Sequence, residues 1–269
     1  MRVLWKERPK VARQAVCVAA PHIVVRSLRD IDEMKLGVEL QRRIWGYSET
    51  EIIPDQMFVV ARESGGQVLA AFHENQPVGF ALAFAGTHSG KVHLHSHMVG
   101  VVREYQDRGV GRLLKLAQRE EAISRGIEHI EWTFDPLQLK NAHFNLTKLG
   151  AIVCRYLPNV YGRTSSPLHS GLPTDRMVAE WRLKSPHVQR VLAGKQNVVR
   201  PSALRISIPS TIRHICVEDP ARAEQIQTDL RVQFTKQLAA GCAVVGFEFA
   251  SEQGSYLLER YEDRIHQTT

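Results

Sequence analysis

The sequence lacks any window near the ~18 consecutive apolar residues that a membrane helix needs, so no membrane partner is expected. It also lacks a run of five basic residues, although Lys and Arg (35) outnumber Asp and Glu (28) and the formal charge is +7. Scattered positive charge of this kind is a solubility property before it is a nucleic-acid footprint, and no nucleic-acid partner is expected. Cysteine is scarce: Cys17, Cys154, Cys216 and Cys242 lie far apart with no C-x-x-C spacing. That argues against a disulfide framework or a zinc knuckle and fits a reducing, cytoplasmic setting. No internal repeat or low-complexity tract is visible. The apolar stretch within residues 1–20 is short and interrupted, so residues 1–21 read as a flexible tail and not as a secretory signal.

What is present supports a folded enzyme-sized unit. Apolar residues make up 43% of 269, enough for one large domain or a domain with an appendage. The stretch His93 to Gly126 organises the rest. A strand-like segment, His93 to Val102, leads through Arg103-Glu104-Tyr105 into Gln106-Asp107-Arg108-Gly109-Val110-Gly111. A helix follows, with Val110, Leu113, Leu114 and Ala117 at i, i+3, i+4, i+7, and it stops at Gly126. A glycine-bearing turn between strand and helix converges backbone N–H groups on an anion, helped by the positive end of the helix dipole. Neither the dinucleotide pattern G-x-G-x-x-G nor the nucleotide pattern G-x-x-x-x-G-K-[ST] occurs there.

In chain order, Ile23 onward predicts a first strand. A helix capped by Asp30, with Glu33 as its capping-box partner, ends at Trp45-Gly46-Tyr47. Gln67–His73 and Val78–Ala85 predict a hairpin. Beyond Gly126 come a strand to Phe134, a break at Asp135-Pro136, a helix over Leu139–Leu149 and a strand from Ala151 to Leu157. Residues 158–173 read as a long loop, Asp175–Leu183 as a strand and 185–200 as a polar linker. Leu204–Ile208, a helix capped by Asp219 with Pro220 at its first position, and two closing strands form a C-terminal module. The expected organisation is a domain over 22–185 and an α/β extension over 201–269 that packs on its core or extends it.

The pattern Gln106-x-x-Gly109-x-Gly111, after a strand and before a helix, resembles the acyl-CoA pyrophosphate loop of the GNAT superfamily of N-acyltransferases. The order of elements over residues 23–185 is similar to the GNAT fold: a mixed, mostly antiparallel sheet flanked by helices. LHSHM, EWTFDP, NAHFN, KLGA and LPNVYG, with GCAVVGFEF and YLLER near the C-terminus, together resemble a long subgroup of predicted acetyltransferases. The resemblance implies acetyl-CoA, or succinyl-CoA, as donor, a small-molecule amine, that of an amino acid, as acceptor, direct attack on the thioester, and a homodimer as one assembly open to it. It implies that backbone at Val99 and Val101 binds pantetheine, and that Gln106, Asp107, Arg108, Gly109, Val110, Gly111 and Arg112 cradle pyrophosphate. Asn141 matches an asparagine of the family, with a helix N-cap as its alternative role.

The resemblance departs where many relatives carry a tyrosine as general acid, because Leu146 stands there. Tyr161 is the substitute candidate, since a phenol with pKa about 10 suits donation to a thiolate; anchoring a loop is its alternative. His93, His95 and His97 alternate on one strand face. Three histidines can bind zinc, but no further ligand declares itself, and no metal is expected. His97 is a candidate base because it titrates near neutrality. Asp135 is another, unless it only caps the turn at Pro136. Trp45, Trp132 and Asn145 are the expected acceptor wall, and Arg176 a clamp for a carboxylate unless it pairs with Asp175. A succinyl donor would need a cation such as His95, His97 or Arg155. A GNAT-fold sensor that binds acyl-CoA without turnover is the alternative function.

Overall fold

The structure is a computed structural model that describes residues 22–88, 90–162, 170–195 and 203–262. The tail at 1–21 and much of the 158–173 loop lie outside the described residues. β1 (Ile23–Ser27) leads into α1 (Ile31–Trp45). Asp30 accepts from the N–H of Glu33 as expected, but the Glu33 carboxylate reaches back to the N–H of Arg29, not to that of Asp30. The helix closes at left-handed Gly46. α2 (Asp55–Glu63) follows, a helix the sequence reading did not anticipate.

β2 (Gln67–His73) and β3 (Gln76–His88) form the expected hairpin, and β3 continues into β4 (Lys91–Val101). α3 (Val110–Ser124) and β5 (His129–Phe134) come next. The helix expected over 139–149 divides: α4 (Leu139–Ala142) passes into a π-helical segment, His143–Lys148. β6 (Ile152–Leu157) and β7 (Arg176–Arg182) complete the first region. The expected linker contains α5 (Pro186–Leu192), with the Ser185 side chain capping Val188 N–H and Pro186 in the first turn. β8 (Leu204–Pro209), α6 (Ile212–Glu218), α7 (Pro220–Ala239), β9 (Cys242–Phe249) and β10 (Gln253–Arg260) follow.

The ten strands among the described residues form one sheet in the order β1-β2-β3-β4-β5-β7-β6-β9-β10-β8. The C-terminal strands prolong the sheet edge-on. β4 and β5 run parallel; every other pairing is antiparallel. Two buried clusters hold the layers. One gathers Met34, Leu40, Phe58, Phe80, Val110 and Leu114 from α1, α2, β3 and α3. The other joins Trp132, Leu146, Trp181, Phe234 and Tyr256, so the extension shares a core with β5 and β7. Trp181 is fully buried and its indole N–H donates to Leu149 O at 2.8 Å. Burying one such side chain contributes about 2–3 kcal/mol, and the satisfied N–H removes the penalty that would offset it.

Candidate active site

β4 is irregular where it matters. Its register with β3 passes from Ser96↔Ala83 to Met98↔Leu82, so His97 is an extra residue. Such a bulge bends a strand and increases its twist. β4 meets β5 only at Leu94↔Ile130 and His95↔Glu131, and the two strands then part. The side of β4 facing β5, from His97 to Val101, is thereby an unpaired backbone edge inside the sheet. Val99 and Val101 lie on it, opposite Ala81 and Gly79 of β3 in register but with their own N–H and C=O turned away from β3, as the neighbouring bond from Val102 N–H to Val78 O requires. Gly100 is required there: a Cβ would come within 2.8 Å of the Trp45 ring. Trp45 itself stacks on Tyr47 at 5.3 Å and meets Phe80 edge-on at 5.7 Å.

The loop beyond β4 fits an anion. Gly109 has φ +83°, where L side chains are strained, and open space lies around its Cβ position. It heads α3 with no side-chain cap, and the helix has no acidic residue in its first turn. The first-turn N–H groups, of Val110, Gly111 and Arg112, have no intrahelical acceptor and face outward. Gln106 Nε2 donates to Val101 O at 2.9 Å, tying the loop to the strand end. Asp107 adopts φ 57° and pairs with Lys140 across the loop at 3.4 Å. Arg108 lies over the Tyr105 ring at 5.7 Å. The Arg112 side chain donates to Leu192 O at 3.3 Å, so it pins α5 and leaves only its backbone at the loop. Asn141 is exposed inside α4 and is not a cap. Lys140, beside it, is the cation the sequence reading missed; its place at the start of the helix after β5 was the available signal.

Two titratable clusters flank the parting of β4 and β5. On one face His93 Nε2 and His95 Nδ1 lie 3.8 and 3.7 Å from Glu131, which bonds Arg155 at 2.6 Å. Burial raises the Glu131 pKa, but His95, Arg155, His93 and His129 outweigh it and bring it to about 2. His97 continues this face, exposed at the bulge, with its ring 6.1 Å from His95 and 5.8 Å from Phe84. Desolvation by neighbouring residues, and then His95, lower its pKa from 6.5. Among the described residues no group of three His, Cys, Asp or Glu side chains could hold a metal ion.

On the other face Lys115 is buried, 3% exposed. Its amine donates to Ser96 Oγ at 2.9 Å and sits 3.6 Å from the Trp132 ring centroid. Desolvation, with no carboxylate to oppose it, drives its pKa well below 10.5. The unfolded chain holds the Lys115 proton up to about 10.5, and the folded chain releases it at lower pH. The unfolded state binds more protons across that window, so stability rises with pH there. Lys115→Met should accordingly stabilise the protein by about 2 kcal/mol at pH 7. The gain should shrink as the pH is raised toward 10.5, in urea unfolding of both proteins.

The remaining candidates separate. Trp132 is 6% exposed, perpendicular to Trp181 at 6.0 Å, and Asn145 is 4% exposed, its carbonyl accepting from Ala151 N–H. Both are core residues and do not line an open cleft. Leu146 is fully buried in the π-helical segment, so that position faces the core here. Asp135 does accept from Leu137 N–H at 2.8 Å, as a turn cap does. Burial raises its pKa, with Leu137 N–H and Arg176 opposing. Arg176 also acts on the Tyr47 phenol, whose pKa is raised chiefly by burial and then by Glu51. Arg176 is itself buried, 8% exposed, with its guanidinium 5.4 Å from the ring of Tyr161, which is 52% exposed. Asp135, Tyr47, Arg176 and Tyr161 thus gather where β5 ends and β7 begins.

A divergent parallel pair, a glycine loop at the strand end and an uncapped helix start are the architecture of an acyl-CoA transferase. Residues 34–151 match the acetyltransferase (GNAT) family. That segment is a GNAT-superfamily acetyltransferase domain. A GNAT-family acetyltransferase from Desulfovibrio desulfuricans shares the fold, with TM-score 0.50 and 14% identity over 60% of this chain and 99% of that one. The ribosomal-protein-S18-alanine N-acetyltransferase of Escherichia coli gives TM-score 0.49 at 14% identity, over 61% and 96%. An acetyltransferase of Salmonella typhimurium with its cofactor acetyl-CoA gives 0.47 at 16%, over 61% and 95%. No curated protein matches the sequence.

Proposed function

We propose that the protein transfers an acetyl group from acetyl-CoA to the amine of a small molecule, an amino acid, by direct attack. The observation that supports this is the unpaired β4 edge from His97 to Val101, ending on the Gly109 loop. Strand rise makes that edge roughly 13 Å long, a length suited to an extended pantetheine arm held by backbone amides. The loop N–H groups from Asp107 to Arg112 hold the pyrophosphate, with Lys140 and Asn141 alongside; the Gln106 N–H is already given to Arg103 O. When bound, the donor supplies an activated thioester.

His97 takes the proton of the acceptor ammonium; its lowered pKa keeps it in the basic form at neutral pH. Tyr161 donates to the departing thiolate, and the adjacent Arg176 favours a negative charge there. Arg176 also holds the acceptor carboxylate, and Asp135, the second base candidate, borders the same space. A succinyl donor, the alternative, would place its carboxylate toward His95, His97 or Arg155.

A thiol-release assay tests this reading. Acetyl-CoA and succinyl-CoA are each offered with a panel of L- and D-amino acids and polyamines. Amine-dependent release of CoA supports it and names donor and acceptor. Acyl-CoA binding without release on any amine would instead favour a sensor.

A further inference from the structure

The entry to β7 is gripped from behind by the C-terminal extension. Asp175 is fully buried. Its carboxylate accepts from Arg231 Nε and Nη2, each at 2.9 Å, from Tyr156 Oη at 2.6 Å and from Asn159 N–H at 3.0 Å. One residue earlier, Thr174 Oγ1 accepts from Tyr161 N–H at 2.8 Å and donates to Gly162 O at 2.8 Å. Thr174 N–H donates to Asn159 Oδ1, and Val160 N–H to Thr174 O. One residue later, Arg176 Nη1 donates to the Asp175 carbonyl at 3.0 Å. Gln227 Nε2 donates to Pro173 O at 2.9 Å. Gln227 and Arg231 stand one turn apart on α7 and so reach the segment together.

A buried ion pair is weak evidence for stability, and its best attested use is to fix one arrangement among several. Here the arrangement is that of Tyr161 and Arg176. Bonds radiating from Thr174 and Asp175 fix the backbone of both, while Tyr161 remains 52% exposed. The bidentate geometry of Arg231 on Asp175 sets direction as well as distance. α7 lies outside residues 34–151, the matched acetyltransferase segment.

We infer that α7 is a positioning element of the acceptor site: Arg231, acting through Asp175, sets Tyr161 and Arg176 where the acceptor is held. This rests on the proposed function. The extension is then part of the machinery, and its helix determines how tightly the acceptor binds and how well the acid is aimed. Neither Arg231 nor Asp175 need touch the substrate.

The test compares Arg231→Met, Arg231→Lys and the double variant Asp175→Asn/Arg231→Met with wild type in the full chain. Arg231→Met alone leaves a buried carboxylate without its cation; the double variant removes both charges and keeps the fold testable by its melting temperature. The donor is acetyl-CoA, and the acceptor is whichever of the L- and D-amino acids turns over fastest. Acceptor KM should rise on the order of tenfold in Arg231→Met and in the double variant, as misplacement of a positioned group does. The KM for acetyl-CoA should not change. Arg231→Lys should recover part of the loss, because lysine restores the charge and not the fork. A folded double variant with wild-type acceptor KM overturns the inference, as does an equal rise in both KM values. A wild type that binds acetyl-CoA and acylates none of the panel removes the acceptor reading and the inference with it.

Discussion

Gly109→Glu should abolish acyl-CoA binding while leaving the protein folded. Two separate effects combine at this position. The backbone stands at φ +83°, so any side chain adds strain of about 1–2 kcal/mol. The site itself is open, with nothing within 4 Å of the Cβ position, so the new side chain displaces no core atom. Its carboxylate would project at the uncapped start of α3, where the helix dipole and the first-turn N–H groups favour negative charge. The glutamate satisfies those groups internally and repels a phosphate from them. Loss of several charge-assisted bonds, each about 1.5–3 kcal/mol, predicts at least a hundredfold rise in the Kd for acetyl-CoA. Gly109→Ala carries the strain without the charge and should bind far better. Calorimetric titration with acetyl-CoA, alongside melting temperatures, separates the two. Equal affinity of Gly109→Glu and wild type would end the case for this loop as the anion site.

That loop was legible in the sequence because glycine punctuates it on a fixed spacing between a strand and a periodic helix. Legibility fell off where the signal was short or tertiary. α2 carries its apolar residues as a contiguous run, Met57 to Val60, with only Phe58 and Ala61 buried, so no helical period showed. α5 did announce itself through Ser185 and Pro186, but His187, Gln189 and Arg190 made the stretch look like a linker. Trp132 and Glu131 alternate on β5, and nothing in one strand tells which face meets a cleft when both are covered. Lys115 resembles any exposed lysine of an amphipathic helix; its burial against Trp132 is a tertiary fact. The Arg231–Asp175 pair joins residues 56 apart in sequence, which no local pattern reports.

The same tertiary setting makes His97 the sharper of the two base candidates, and His97→Ala should lower kcat by about 10²–10⁴-fold. His97 sits at the bulge where β4 leaves β5, at the start of the free strand edge. Desolvation and the neighbouring His95 move its pKa below 6.5. A lowered pKa means that the basic form dominates at pH 7, and protonation at more acidic pH removes it. Wild-type kcat should therefore climb with pH through a midpoint below 6.5 and then level. In His97→Ala the acidic limb should vanish along with most of the rate, while the Kd for acetyl-CoA stays within about twofold, because the loop and not the imidazole carries the affinity. Asp135 gives the contrasting outcome. Burial raises its pKa from 3.8, and its carboxylate already accepts from Leu137 N–H in a turn. Were it the base, His97→Ala would keep the limb and Asp135→Asn would erase it. The pH profile of kcat in these two variants thus assigns the proton to one side of the β4–β5 opening or the other.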